Sequence, residues 1–205
     1  MKEKLVGKGA EAELRQTVYN SRPALRKIRV PKKYRVEALD NSLRKRRTRR
    51  EAKCLRVAHE NGVPVPELFL ENEGKFELVV EKLDGVLLSR KTISSQEAEQ
   101  AGELLAKLHH AGVVHGDYST SNLLSVGSGK NSRVFAIDFG LAEITNNVEE
   151  RADDVIVFEK SLDNPVLEGS FRAGYLHKAG ANDAQTVFSR TKQILSRARY
   201  ARSPV

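Results

Sequence analysis

Cysteine is all but absent from the 205 residues: Cys54 stands alone, so no internal disulfide can close and no cysteine cluster can hold a metal. A small buried thiol is its expected state. Tryptophan is missing, and aromatic residues reach only 6%. No apolar run comes near the roughly 20 residues that a membrane helix requires. The opening Met1-Lys2-Glu3-Lys4-Leu5 is too charged for a secretion signal. Repeats, long linkers and low-complexity tracts are lacking as well. These gaps exclude a disulfide scaffold, a helical membrane protein and a solenoid. A cytoplasmic protein with no membrane contact is the expectation. What remains, 40% hydrophobic and 30% charged, suits one substantial core or two small lobes sharing a cleft.

Charge is plentiful and unevenly placed. Between Arg22 and Arg56, 15 Lys+Arg meet only Glu37, Asp40 and Glu51, a local net of +12. The whole chain carries +8, so the remainder is net −4. A second basic stretch closes the chain with Arg190, Lys192, Arg197, Arg199 and Arg202 and no acid among them. Such runs are often solvated helix faces, but two of them flanking an acidic body suit a phosphate-rich partner such as RNA. Lys32, Lys33, Arg35, Arg46, Arg47, Arg49, Arg197, Arg199 and Arg202 are the candidate contacts to RNA or a partner.

Periodicity divides the chain. Residues 1–35 read as short strands and turns, with alternation over Ala12–Val18 and Ala24–Val30 before Pro31. A helix is expected from Val36 to about Glu60, with room for a break near Arg47-Thr48, and Gly62 stops it. Strands follow over Glu67–Leu70 and Phe76–Glu81, then an amphipathic helix over Gln96–His110. An apolar strand spans Val134–Asp138, and helices are expected from about Glu149 to Leu162 and from Asp183 to Arg199. A strand-rich beginning followed by a helix-rich end predicts an α+β fold of two lobes. The expected division of this single domain, 1–205, is an N-lobe of about 1–82, a C-lobe of about 83–190 and a basic tail of about 191–205.

Four elements stand in an order that suits phosphoryl transfer. Glycines in Gly7-Lys8-Gly9-Ala10-Glu11-Ala12 let backbone N–H groups approach phosphate oxygens. A tight turn would use the same spacing, and no strand–turn–helix context follows to suggest a dinucleotide fold. Lys27 lies on a strand and Glu51 on the next helix; a carboxylate there would hold the ammonium extended toward phosphates. Arg26 and Arg29 are its competitors for that role. In His115-Gly116-Asp117-Tyr118-Ser119-Thr120-Ser121-Asn122, Asp117 and Asn122 stand five residues apart on a polar loop. Such a loop can aim a carboxylate at a hydroxyl or water and an amide oxygen at a metal. His115 reads as a structural hydrogen-bonding residue, and His109-His110 lack a third ligand at metal spacing. Lastly, Asp138 ends an apolar strand before Phe139-Gly140, where a carboxylate suits a hard cation such as magnesium.

This ordered set is similar to the protein-kinase signature. More narrowly, the chain resembles the small atypical kinase of the KEOPS complex, the PRPK-like family. The resemblance rests on Gly9-Ala10-Glu11-Ala12, Arg29-Val30-Pro31-Lys32-Lys33-Tyr34-Arg35, Leu39-Asp40, Arg47-Thr48-Arg49-Arg50-Glu51, the His115–Asn122 loop and Ser196-Arg197-Ala198-Arg199-Tyr200. It implies a minimal bilobal kinase-like fold using ATP and magnesium. It further implies Asp117 as proton acceptor or water-orienting group, Asn122 and Asp138 as magnesium ligands, and Lys27 with Glu51 as the phosphate clamp. Val6, Gly7, Lys8, Gly9, Ala10, Glu11 and Ala12 would lie against the nucleotide, with Glu81 and Leu83 in the connection that meets adenine. The implied function is an ATPase or Ser/Thr-type kinase subunit supporting threonylcarbamoyladenosine formation on transfer RNA. Its implied partner is the threonylcarbamoyl-transferase catalytic subunit.

Some positions depart from the pattern. Tyr118 and Ser119 stand where that family has leucine and threonine, and Ser119 replaces the lysine of ordinary protein kinases. Only about eight residues separate Gly140 from Glu149, too few for a peptide platform. Two other readings stay open: a small-molecule phosphotransferase resembling aminoglycoside kinases, and a kinase-fold binding module without chemistry. The first needs a large helical substrate lobe, against only 65 residues after Gly140. The second is disfavoured by the presence of all five polar residues.

Overall fold

The computed structural model describes residues 3–9 and 11–200, so Ala10 and Arg202 lie outside the described residues, as does the side chain of Arg199. The chain forms two compact units, Met1–Asp84 and Gly85–Val205.

In the first unit, β1 (Lys4–Lys8), β2 (Ala12–Tyr19) and β3 (Arg22–Arg29) run as a meander. The two-residue loop Asn20-Ser21 takes positive φ at both positions, 46° and 65°, the twist that tight hairpins favour. Next comes α1 (Glu37–Glu60), and then β4 (Leu68–Asn72) and β5 (Glu77–Glu81) complete an antiparallel sheet of order β1-β2-β3-β5-β4. The anticipated break at Arg47-Thr48 does not occur. Thr48 Oγ1 donates to the Arg44 carbonyl at 2.9 Å, so the hydroxyl is absorbed by the helix itself. Thr48, Glu51, Ala52, Leu55 and Ala58 form the buried face of α1, with Cys54 buried beside them. At the end of α1, Gly62 adopts φ 68° and stops the helix as its position suggested.

The second unit opens with β6 (Gly85–Leu87) and α2 (Ser95–His110). A capping box starts α2: Ser94 accepts from the Glu97 N–H while the Glu97 carboxylate accepts from the Ser94 N–H at 3.0 Å. Then follow β7 (Val113–Val114), β8 (Leu123–Val126), β9 (Arg133–Ala136), β10 (Glu143–Ile144), α3 (Val148–Lys160), α4 (Pro165–Ala179) and α5 (Ala181–Tyr200). Strands β6, β8 and β9 form one small sheet, and β7 pairs with β10. Two expectations need correction here. α4 was missing from the sequence reading, because Gly169 and Gly174 weaken its helical pattern; Pro165 sits at its first turn, where proline is tolerated. The boundary near 190 falls inside α5, so residues 191–200 continue a helix rather than begin a tail. Among the described residues no helix is long and apolar enough to cross a membrane.

Candidate functional site

In the first unit the sheet brings Lys27 and Glu51 together. Strand register pairs Lys27 with Leu14 on one side and Leu78 on the other, at the centre of the sheet. Its Nζ lies 2.6 Å from Glu51 Oε1. Glu51 is buried at 5% exposure, so its charge needs a partner, and Lys27 is one of two. Arg29 donates to the other oxygen, Glu51 Oε2. Sequence reasoning treated Arg29 as a rival of Lys27. The two-residue period of a strand puts both on one face, which is the signal that they could share a carboxylate. Arg26 instead pairs with Glu3 at 3.1 Å.

The glycine-rich turn joins β1 to β2. Gly9 N–H bonds the Ala12 carbonyl at 2.9 Å, and Val30 N–H bonds the Glu11 carbonyl at 3.1 Å. A Cβ added at Gly7 or Gly9 would meet its nearest neighbour at an ordinary 3.6 Å, and neither residue has positive φ. The fold itself therefore does not demand glycine at these two positions. Side-chain-free backbone is what a phosphate group would require there. Of the other predicted residues, Val6 and Lys8 are exposed, and Lys8 lies 3.8 Å from Glu13. The Glu11 carboxylate is held by Arg47, which keeps its carboxyl below the usual range. Glu81 closes β5, 3.6 Å from Arg22, and Leu83 is half-buried just beyond it. Among the predicted RNA contacts, Arg49 grips Glu73 at 2.6 and 2.7 Å, Arg35 lies 3.5 Å from Asp40, and Arg47 is bound to Glu11. Lys33 and Arg46 are exposed, Lys32 is half-buried and Arg197 is exposed on α5.

In the second unit, Asp117 and Asn122 lie in the loop between β7 and β8, and Asp138 follows β9, the strand that pairs with β8. Asn122 Nδ2 donates to both the Asp117 carbonyl and Asp117 Oδ2, each at 2.8 Å. Both amide hydrogens are thereby used, and Oδ1 is the end left for a cation. Ile137 N–H bonds the Asn122 carbonyl at 2.9 Å, so Asp138 follows directly beside Asn122. Asp138 has φ 60°, unusual for a non-glycine residue, and its Oδ1 accepts from Gly140 N–H at 3.2 Å. Backbone strain of this kind collects at functional turns. An amide oxygen and a carboxylate are the hard donors magnesium prefers. Among the described residues no cluster of three or more His, Cys, Asp or Glu could hold a metal by itself. The donor set thus fits a cation that brings its own phosphate and water oxygens.

Beneath the loop lies Asp154, which the sequence reading overlooked. Its carboxylate accepts from His115 N–H at 2.7 Å and Gly116 N–H at 2.8 Å, fixing the turn that presents Asp117. His109 Nε2 stands 3.3 Å from the same carboxylate, and Tyr175 hydroxyl 2.8 Å from His109 Nδ1. Burial pushes the His109 imidazole down, against the pull of Asp154, and both of its ring nitrogens are taken up within the core by Asp154 and Tyr175. The available signal was an acid on the apolar stripe of α3, four residues before buried Phe158. Gly116 is required by geometry: φ is 75° and a Cβ would stand 2.7 Å from the Leu141 carbonyl oxygen. His115 has the structural role expected of it, with Nε2 donating to the Ile137 carbonyl at 3.1 Å. Its ring packs between Phe139 and Tyr118, and Tyr118 hydroxyl donates to the Ala101 carbonyl at 2.7 Å. The Tyr118 departure is thus a core anchor of the loop on α2.

A sheet with one long helix, followed by a helical unit with Asp-loop and Asp-Phe-Gly turns, defines a protein-kinase-like phosphotransferase fold. The Rio2 kinase of Chaetomium thermophilum, crystallised with ADP and Mg2+ as a phosphoaspartate complex, superposes over 96% of this chain and 70% of its own, at TM-score 0.65 and 13% identity. WaaP, solved with acyl carrier protein, matches 96% of this chain and 89% of its own at TM-score 0.61 and 16% identity. The family described as Phosphotransferase enzyme family (APH) matches residues 32–112. The chain belongs to the family of BUD32 homologs. A member named "Probable serine/threonine-protein kinase BUD32 homolog", from Archaeoglobus fulgidus, is 37% identical over 179 residues, covering 85% of this chain and 87% of that protein. The "Probable bifunctional tRNA threonylcarbamoyladenosine biosynthesis protein" of Methanocorpusculum labreanum is 38% identical over 94% of this chain, which spans only 35% of that longer protein.

Proposed function

We propose that the chain is an ATP-hydrolysing or Ser/Thr-type kinase subunit that supports threonylcarbamoyladenosine formation on transfer RNA in a KEOPS-type complex. The observation that carries the catalytic part is the buried Lys27–Glu51 pair at 2.6 Å, a lysine held extended by a helix carboxylate at the centre of a sheet. Bound ATP with magnesium supplies the electrophilic phosphorus and the cation that neutralises charge on its oxygens. Lys27 orients the phosphates, and the backbone of Gly7 to Ala12 approaches them. The Glu81–Leu83 connection offers backbone groups to adenine. Asn122 Oδ1 and the Asp138 carboxylate hold the cation. Asp117 is exposed, and its Oδ2 is engaged by Asn122, which leaves Oδ1 to take the proton from an attacking water or hydroxyl.

The transfer-RNA part rests on relatives 32–38% identical that are named bifunctional tRNA threonylcarbamoyladenosine biosynthesis proteins. Their greater length suits a second activity in the same chain, and the threonylcarbamoyl-transferase catalytic subunit is the proposed partner. A small-molecule phosphotransferase has the match over residues 32–112 on its side but covers less of the chain. ATP turnover, measured with and without transfer RNA and that partner, separates the readings. Asp117→Ala and Asp138→Ala should abolish turnover while far-UV circular dichroism is unchanged. Stimulation by an amino-sugar and not by RNA would favour the small-molecule enzyme. No turnover under any condition would leave a binding module.

A further inference from the structure

The turn between β1 and β2 sits at an edge of the first unit's sheet. β1 is the outermost strand in the order β1-β2-β3-β5-β4, and its register slips between Leu5 and Gly7. Two backbone bonds shape the turn, Gly9 N–H to the Ala12 carbonyl at 2.9 Å and Val30 N–H to the Glu11 carbonyl at 3.1 Å. A side-chain tie runs from it to α1, where Arg47 donates to the Glu11 carboxylate. That bond, working against desolvation, holds the Glu11 carboxyl below its usual range, so the pair stays ionised at neutral pH. One helical turn beyond Arg47, Glu51 leaves the same side of α1 and holds Lys27 Nζ at 2.6 Å together with Arg29. Arg29 spans the two carboxylates: it donates to Glu51 Oε2, and its Nη1 lies 3.9 Å from Glu11 Oε2. Charges thus alternate from the turn to the centre of the sheet through Arg47, Glu11, Arg29, Glu51 and Lys27, all inside one unit.

We propose that Glu11 is a positioning residue: bound by Arg47, it docks the glycine-rich turn onto α1 and fixes the backbone of the turn relative to Lys27. This role rests on the nucleotide reading above, in which the backbone of Gly7 to Ala12 approaches phosphates. The Glu11 side chain itself does not touch them. A carboxylate aimed at a triphosphate would repel it, whereas one held by Arg47 and close to Arg29 has its charge offset. Helix α1 carries both tethers, Arg47 for the turn and Glu51 for the lysine, so a shift of the helix displaces both phosphate-binding groups together. Misplacing such groups by an ångström is costly for binding and turnover. The Glu11–Arg47 pair is partly exposed, at 43% and 28%, and pairs of that kind add little to global stability. Its effect is therefore expected in the turn, not in the fold.

The test compares Glu11→Gln, Arg47→Gln and the double variant in the full chain. Amide hydrogen exchange is measured without nucleotide, and affinities for ATP–Mg2+ and for adenosine by calorimetry. Both single variants should speed exchange at Gly9 and Val30 while the thermal midpoint holds. Each should weaken ATP by about three- to fivefold and leave adenosine, which has no phosphates, as it was. The double variant should be no worse than either single one, because the two side chains act as one pair. Glu60→Gln makes the same charge change at the far end of α1 and should alter neither readout. Charge acting directly on phosphates gives opposite signs: Glu11→Gln would tighten ATP and Arg47→Gln would weaken it. That pattern, additive losses in the double variant, an equal loss for adenosine, or unchanged exchange at Gly9 and Val30 overturns the proposal. Faster exchange in both variants of a chain that binds no ATP upholds the docking of the turn and strikes the nucleotide reading instead.

Discussion

Glu51 holds two cations with one buried carboxylate, and the two are not equivalent. Lys27 Nζ meets Oε1, while Arg29, itself 5% exposed, meets Oε2 and reaches toward Glu11. Removing either leaves the other to neutralise Glu51, so neither loss leaves that buried carboxylate unpaired. Lys27→Met should therefore cost little stability and lower ATP turnover by about 10²-fold, the usual scale for losing one phosphate-stabilising group. Arg29→Met removes a buried guanidinium with several bonds and should destabilise by roughly 1–3 kcal/mol. Urea unfolding and ATP turnover measured on both variants check the contrast. If Arg29→Met and Lys27→Met lost turnover equally at intact stability, the clamp would belong to Arg29 as much as to Lys27.

Between helices, α2 and α4 approach closely. A Cβ on Gly102 would lie within 2.6 Å of the Tyr175 nitrogen, and one on Gly174 within 2.8 Å of the Glu99 carbonyl carbon. The helices cross backbone to backbone, and neither glycine can be replaced without moving a whole helix. Gly174→Ala should cost roughly 2–4 kcal/mol, seen as a fall in thermal midpoint, although alanine favours a helix by about 1 kcal/mol over glycine. The capping residue of α2 makes a pH prediction. Burial raises the Glu97 carboxyl, but Lys91 at 2.5 Å and bonds from Ser94 and Ser125 outweigh it and hold the pKa at about 2. A folded pKa below the unfolded one gives stability that is present above about pH 4.5 and lost as pH falls through about 2. Glu97→Gln should remove roughly 2–3 kcal/mol at pH 7 and flatten the acid limb of a stability–pH curve. These two sites also mark how far sequence reading reached. Periodicity and the glycine stop located α1 and α2 to within a residue or two, and the polar motifs singled out the residues later found paired. It missed α4, partly because Gly174, which weakens a helix in isolation, is what lets α4 dock on α2. Asp154 escaped for a similar reason: its role is to hold backbone N–H groups of a loop 38 residues away, and no local pattern announces that.

At the scale of the whole molecule, a net charge of +8 suggests a strongly salt-dependent encounter with RNA, but the folded chain moderates it. Many of the cations between Arg22 and Arg56 already hold carboxylates: Arg22 with Glu67, Arg44 with Asp40, Arg49 with Glu73 and Arg56 with Glu71, at 2.6–2.8 Å. Glu67, Glu71 and Glu73 lie outside that segment, so the acidic remainder of the sequence is partly folded back onto the basic run. Exposed pairs of this kind are weak, roughly 0–1 kcal/mol each, and phosphates can compete for their arginines, though only by releasing a carboxylate. The number of phosphates neutralised on binding should therefore fall well short of the number of cations. For about four contacts, log affinity falls with a slope of about −2.8 to −3.6 against log salt, which is roughly a 50- to 150-fold loss between 50 and 200 mM. Transfer-RNA binding to the full chain, measured across that salt range, gives the slope directly. Charge-removing Lys33→Gln and Arg46→Gln, at exposed positions, should each reduce it by about one unit or less. A slope near zero would mean that the basic run serves the fold and its carboxylates, and that RNA reaches this protein only through a partner.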